Sequence, residues 1–243
     1  MRSAVLAAEQ AGFGVAWVVD HLAGQMMGGP TMMECFTLVG ALAASTSTIG
    51  VGTMVANVWN RPLAVLATAA ATAQHIADGR FWLGIGAGAA PNTHFGAEHA
   101  AVGMNLDPIM ANRHQRVLDF LNLSRRLWSS GECAGVSGFA IADPIPPLII
   151  GVNSVALAVL AAGVADGINV RASHPRLQEI VLAARSARPP ELQPLLITVW
   201  TRWDQSLRDP DSPRRRELDQ LGVDRTVLTQ FDPVDLELIT ISR

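Results

Sequence analysis

Charge is scarce in this sequence. Only 16% of its 243 residues are Asp, Glu, Lys or Arg, and the formal net charge is −3. The arginines form no long basic tract, so neither the balance nor the layout of charge supports nucleic-acid binding. Cysteine is nearly absent. Cys35 and Cys133 make neither a disulfide framework nor a zinc-ligand pattern, and a reducing, cytoplasmic setting is the expectation. No apolar run reaches membrane-spanning length without a glycine or polar break, and the start lacks the charged-then-apolar order of a secretory signal. No membrane partner is expected.

What is plentiful is apolar surface. The hydrophobic fraction is 49%, which suits a sheet buried on both faces and an interface between copies of the chain, so a homo-oligomer such as a dimer is expected. The length fits one large domain, here taken as residues 1–243. Apolar runs at 15–19, 49–55, 81–85, 148–152, 168–172, 195–200 and 226–231 read as strands. Helical stretches lie between them, at 3–11, 31–45, 63–77, 110–128, 155–165, 175–187 and 214–221, with Thr31 as a plausible N-cap and Glu34 three residues on. Residues 89–108, 129–147 and 204–213 read as loops, and the last dozen residues are ambiguous. Strict alternation of strand and helix implies right-handed βαβ units and a parallel sheet. The fold class is therefore α/β. Seven strands follow a leading helix, and a closed eight-stranded TIM (β/α)8-type barrel needs one more, ahead of Ser3.

One stretch carries more information than the rest. From His75 to Gly88 the chain reads as a helix end, an Asp78-Gly79 turn, a short buried strand and a glycine-rich exit at Gly84, Gly86 and Gly88. Bare backbone there admits either a flat ligand or a closely packed neighbour. In βα architecture, sites gather where strands end. Asp20-His21, Met54-Val55, Gly86–Gly88 and 151–153 all fall at such ends. His21 has the chemistry of a general base. Asp20 and His21 together equally suit a loop cap.

In these residues the chain resembles the luciferase-like monooxygenase superfamily, in particular its deazaflavin (coenzyme F420)-dependent oxidoreductases. The pieces are Ala8-Glu9-Gln10-Ala11-Gly12-Phe13, Val19-Asp20-His21, Ile49-Gly50-Val51-Gly52-Thr53-Met54-Val55, Asn60-Arg61-Pro62, Asp78-Gly79-Arg80-Phe81 through Gly88, Phe95-Gly96, Arg126-Leu127-Trp128, Pro147-Leu148-Ile149-Ile150-Gly151 and Ala165-Asp166-Gly167. Their order and spacing cover about residues 3–172. The resemblance implies a TIM barrel whose first strand and part of whose last third are missing or shortened. It implies coenzyme F420, or alternatively FMN, in the barrel mouth, and a small-molecule substrate. It places a strand bulge with a non-prolyl cis peptide at Met54-Val55, with Val55 against the tricyclic ring. It assigns His21 to catalysis and Asp20, Met54, Val55, Gly86, Ala87, Gly88, Gly151, Val152 and Arg171 to the coenzyme. The implied activity is hydride transfer between coenzyme F420 and a small organic molecule. The alternatives are an FMN-dependent monooxygenase and a degenerate barrel acting as a binding or subunit partner.

The chain departs from the family pattern at several positions. Ala89 stands where deazaflavin-dependent sugar dehydrogenases carry a catalytic glutamate, Thr93 at a position that is often acidic, and Val152 in place of a second glycine after Gly151. His94, Glu98 and His99 have ligand chemistry but not ligand spacing, so the reading is a solvated loop and no metal. Arg113 and Arg116 either reach an anionic coenzyme tail or sit on a solvated face, with a bridge to Asp119 open to them. Trp82 and Trp128 read as core, and Trp59 as a pocket wall.

Overall fold

Arg80 shows how local chemistry joins the elements. In the computed structural model, which describes residues 1–209 and 211–230, the backbone divides into two units. The first covers Met1–Pro147 and the second starts at Leu148. In the first unit, α1 (Arg2–Gln10) leads to β1 (Val15–Val18), α2 (Cys35–Ser45), β2 (Gly50–Asn57), α3 (Leu63–Ile76) and β3 (Phe81–Gly86). The guanidinium of Arg80, one residue before β3, donates to the carbonyls of Ala43, Thr46 and Ile49. These include carbonyls at the end of α2 that have no partner inside the helix. The Asp78-Gly79 turn expected from the sequence lies ahead of it; Gly79 has a φ of 79°, and Asp78 joins it at positive φ, 50°.

The three strands are parallel in the order β1-β2-β3, with Val18 beside Thr53 and Thr53 beside Leu83. Phe81, Leu83 and Ile85 alternate along β3 and are at most 1% exposed. Burial of side chains this size contributes about 1.5–3 kcal/mol each. Phe81 meets Phe36 of α2, with ring centroids 6.2 Å apart. On the opposite face, Trp17 and Trp82 meet edge to face at 6.2 Å above Gly52. A Cβ at Gly52 would lie 2.7 Å from the Trp17 ring, so this layer needs glycine. Trp82 is therefore half-buried, whereas Trp128 is core and donates to the carbonyl of Ala67.

After β3 the chain forms α4 (Ala97–Ala101), α5 (Met110–Ser130) and a small antiparallel hairpin of β4 (Glu132–Cys133) and β5 (Val136–Ser137). Two stretches read from sequence as loops thus hold structure. Alanine-rich residues 97–101 are long enough for one helical turn, and the hairpin turns at Ala134-Gly135, both at positive φ. A third expectation fails at α2. The helix begins at Cys35, not Thr31, because Glu34 is its N-cap and accepts the amide of Thr37 at 2.7 Å.

The second unit runs β6 (Leu148–Gly151), α6 (Val155–Val164), β7 (Gly167–Arg171), α7 (Leu177–Ser186), β8 (Leu196–Arg202), α8 (Pro213–Gln220) and β9 (Arg225–Thr229). Its strands are parallel in that order. One device recurs: Asp166 accepts the amide of Leu148, and Asp224 that of Ile197, each at 2.7 Å. A carboxylate ahead of one strand thereby fixes the start of its neighbour. The α/β class and the seven strands expected from sequence are present, with Phe231 of the last expected strand outside the described residues. Among the described residues, no helix is long and apolar enough to cross a membrane.

Candidate active site

The site is built in the first unit, where β1, β2 and β3 end. Two residues beyond the Val18–Thr53 pair, the buried Asp20 carboxylate accepts the backbone amide of Asn57 at 2.8 Å. Arg61 grips the same carboxylate through both Nη atoms, at 2.8 and 2.9 Å, and also pairs with Glu34. The side chain of Asn60 donates to the Asp20 carbonyl. The exits of β1 and β2 are thus tied together by one ionic knot. The register of β2 on β3 shifts between Thr53 and Ala56, and the Met54-Val55 peptide is cis, both as the resemblance implies.

Val55 lies across β3. A Cβ at Gly86 would sit 2.5 Å from Val55 Cγ2, and one at Gly84 would strike the Thr53 carbonyl. Bare backbone at these positions therefore serves the bulge. Gly84 and Gly86 admit Val55 and are themselves buried, whereas Met54, Val55 and Gly88 are half-exposed. Gly88 plays the same part for Trp59, whose indole donates to the Ala87 carbonyl at 3.1 Å. Asp20, Val55 and 86–88 accordingly share one rim.

His21 stands beside this shelf. Its Nδ1 is 2.7 Å from Oε1 of Glu98, and Phe95 flanks its ring at 5.4 Å. The other Glu98 oxygen accepts the amides of Leu22 and Ala23, at 2.7 and 2.9 Å. The His21 side chain is 23% exposed and that of Glu98 only 1%. Glu98 and His99 are thus buried, against the expectation of a solvated loop. His99 contacts Asn57 and Asn60 through Nε2, while its buried Nδ1 has no partner among the described residues. The sequence offered one clue to these two: a Glu-His pair set among alanines, with no other charge nearby to solvate that turn. Among the described residues, no three His, Cys, Asp or Glu side chains are grouped to hold a metal.

Two arginines of α5, Arg113 and Arg116, are committed to backbone carbonyls. Arg116 donates to the Val58 carbonyl at 2.8 Å and covers the Trp59 ring at 4.5 Å, while Arg113 holds the carbonyls of Asp107 and Pro108. Asp119 is bound by Gln115, so neither arginine makes the anticipated bridge to it. Gly151, Val152 and Arg171 belong to the second unit. Gly151 ends β6, Val152 donates its amide to the Asn169 carbonyl, and Arg171 ends β7 with an exposed side chain.

A half-exposed apolar shelf at the ends of parallel strands, beside a histidine held by a buried carboxylate, lies where βα folds build their ligand sites. The family model for luciferase-like monooxygenases matches residues 1–194, and the chain belongs to that family. It is 25% identical over 179 residues to 5,10-methylenetetrahydromethanopterin reductase of Methanolobus tindarius, covering 72% of this chain and 51% of that protein. It is 31% identical over 172 residues to F420-dependent hydroxymycolic acid dehydrogenase of Mycobacterium tuberculosis, covering 66% and 46%. The chain thus spans about half the length of these curated relatives. A solved F420-dependent secondary alcohol dehydrogenase, in complex with an F420-acetone adduct, superposes with a TM-score of 0.76 at 18% identity, over 99% of this chain and 91% of that one. This likeness shows the TIM-barrel-like fold.

Proposed function

We propose that this chain acts as an oxidoreductase that moves a hydride between coenzyme F420 and a small organic substrate. The observation that carries this reading is the half-exposed Met54-Val55 shelf beside His21, whose outer edge is open while its inner edge is held. The shelf fits the ring portion of a deazaflavin: it is apolar, and it is backed by glycines that keep Val55 forward. Bound there, the deazaflavin would supply hydride acceptance and donation. Met54 and Val55 would bear the ring, and the 86–88 backbone with Trp59 would bound it. His21 would hold the substrate oxygen and exchange its proton. Asp20 would act on the coenzyme side through the bulge it fixes at Asn57, since Arg61 already takes both its oxygens. Gly151, Val152 and Arg171 keep the coenzyme role given by the resemblance. The chain is read as one catalytic domain in a cytoplasmic setting, consistent with the free thiols of Cys35 and Cys133.

Titration with coenzyme F420 and FMN separately, followed by tryptophan fluorescence, tests the reading. Micromolar binding of coenzyme F420 with quenching is expected. Binding of FMN alone would move the chain to the monooxygenase branch of the family, and binding of neither would leave a barrel without coenzyme.

Self-association is part of the proposal. Neither α2 nor α3 contains Asp, Glu, Lys or Arg, and they border a cleft of about 360 Å³, mostly apolar but with Glu34 and Arg61 at its wall, on which Val65 and Ile76 are exposed. Sedimentation velocity should give a dimer, and a clean monomer at tens of micromolar would remove this part.

A further inference from the structure

We propose that Glu98 is a positioning residue that locks His21 in a single tautomer, so that the imidazole presents an unprotonated Nε2 to a substrate hydroxyl. The inference rests on the oxidoreductase reading above and adds to it the residue that sets the state of its histidine.

Glu98 is 4% exposed, and three donors converge on its two oxygens. Two of them, the amides of Leu22 and Ala23, can only donate, and both use Oε2. An acceptor-only, ionised carboxylate satisfies all three. Oε1 then requires a hydrogen from His21 Nδ1. A neutral imidazole has one N–H, so Nε2 is left with its lone pair. The buried side of the ring is consumed by this bond, and the exposed edge is the one that carries the lone pair. Phe95 lies tilted against the ring at 36°, which limits its rotation about the bond to Glu98.

In the oxidative direction the carbinol C–H bond would break, and a deazaflavin bound on the Met54-Val55 shelf would supply the two-electron acceptance of its hydride. The hydroxyl O–H bond breaks, its proton goes to His21 Nε2, and the carbon–oxygen bond becomes a carbonyl. The resulting imidazolium faces the Glu98 carboxylate. The reverse direction returns both. Ala89, where related sugar dehydrogenases carry a glutamate, is thus no gap in this scheme, because the carboxylate arrives from α4 and acts through the histidine.

The test has two independent readouts. Long-range proton–nitrogen NMR of the histidine side chains, on the chain without coenzyme and with His21→Asn to assign the signal, reports the tautomer directly. Wild type should show Nδ1–H, and Nε2–H in wild type would overturn the proposal. In Glu98→Gln the amide oxygen can still accept from Leu22 and Ala23, so its NH2 turns to Nδ1 and Nε2–H should appear. An unchanged tautomer in a folded Glu98→Gln would equally overturn it. If that variant fails to fold by circular dichroism, the wild-type spectrum still decides. With coenzyme F420 and a secondary alcohol, Glu98→Gln should lose on the order of 100-fold in kcat, within the usual range for acid–base assistance, while KM and coenzyme affinity change less than about three-fold. A kcat within a few-fold of wild type would reject the positioning role. Absence of coenzyme binding in wild type would count instead against the proposed function, and the NMR result would stand apart from it.

Discussion

Arg61 holds more of the candidate site together than any other side chain in it. Both of its Nη atoms bind Asp20, one also reaches Glu34, and its guanidinium lies 5.1 Å over the Phe36 ring. The Asp20 side chain is 2% exposed. Arg61→Ala would leave that carboxylate buried and unpaired, and removal of one partner of such a pair costs about 3–5 kcal/mol. Urea unfolding should show this as a lower midpoint at unchanged slope. A loss under about 1 kcal/mol would mean that Asp20 finds water or another donor. At this scale the sequence was informative where chemistry and chain position coincide. Asp20-His21 stood out because two polar residues end an apolar run. Glu98 stood out only for its ligand chemistry beside His94 and His99, because its partner His21 is 77 residues away and only folding brings them together. Arg61 was legible as part of a motif, but nothing local in the chain pairs it with Asp20.

Among the elements, the ends are held by side chains from outside the element. Arg80 closes the C-terminal end of α2 with bonds of 2.6 to 3.2 Å to three carbonyls. Arg80→Ala should cost about 1.5–3 kcal/mol, the range for hydrogen bonds to a charged group, with amide exchange rising first in residues 43–49. A uniform rise over the whole first unit would contradict this local picture. Ser212 is a buried N-cap that accepts the amide of Arg215, and Ser212→Ala should cost about 1 kcal/mol with α8 fraying first. Strand positions were readable from apolar runs because both faces of a parallel strand are covered. Helix starts were less so. Thr31 and Glu34 both have cap chemistry, and it is Glu34 whose carboxylate accepts the Thr37 amide while its other oxygen meets Arg61, a partner 27 residues away.

For the molecule as a whole, acid is the informative perturbation. Glu9 on α1 accepts the amides of Thr48, Ile49 and Ser47, which hold its carboxyl down at about 2 against an ordinary 4.5. A depressed native value means the contribution is complete above 4.5 and is lost as pH falls from there toward 2. Glu9→Gln should therefore melt below wild type at pH 6, and the gap should shrink steadily between pH 5 and 3. A gap that stays constant over that interval would show that the charge is not what Ser47, Thr48 and Ile49 bind. Seven parallel strands and their order of appearance were legible from alternation alone. The clasp between α1 and the loop ahead of β2 was not, because a solvent-facing glutamate on a helix looks the same whether or not a loop folds onto it.

The overlap of Val55 with the space above Gly86 reaches beyond this one chain. Two positions that share a single volume cannot drift separately. Where a relative has gained a methyl at the place of Gly86, it should have lost bulk at the place of Val55. Such compensated pairs would mark family members that have remodelled the bulge at the end of β2.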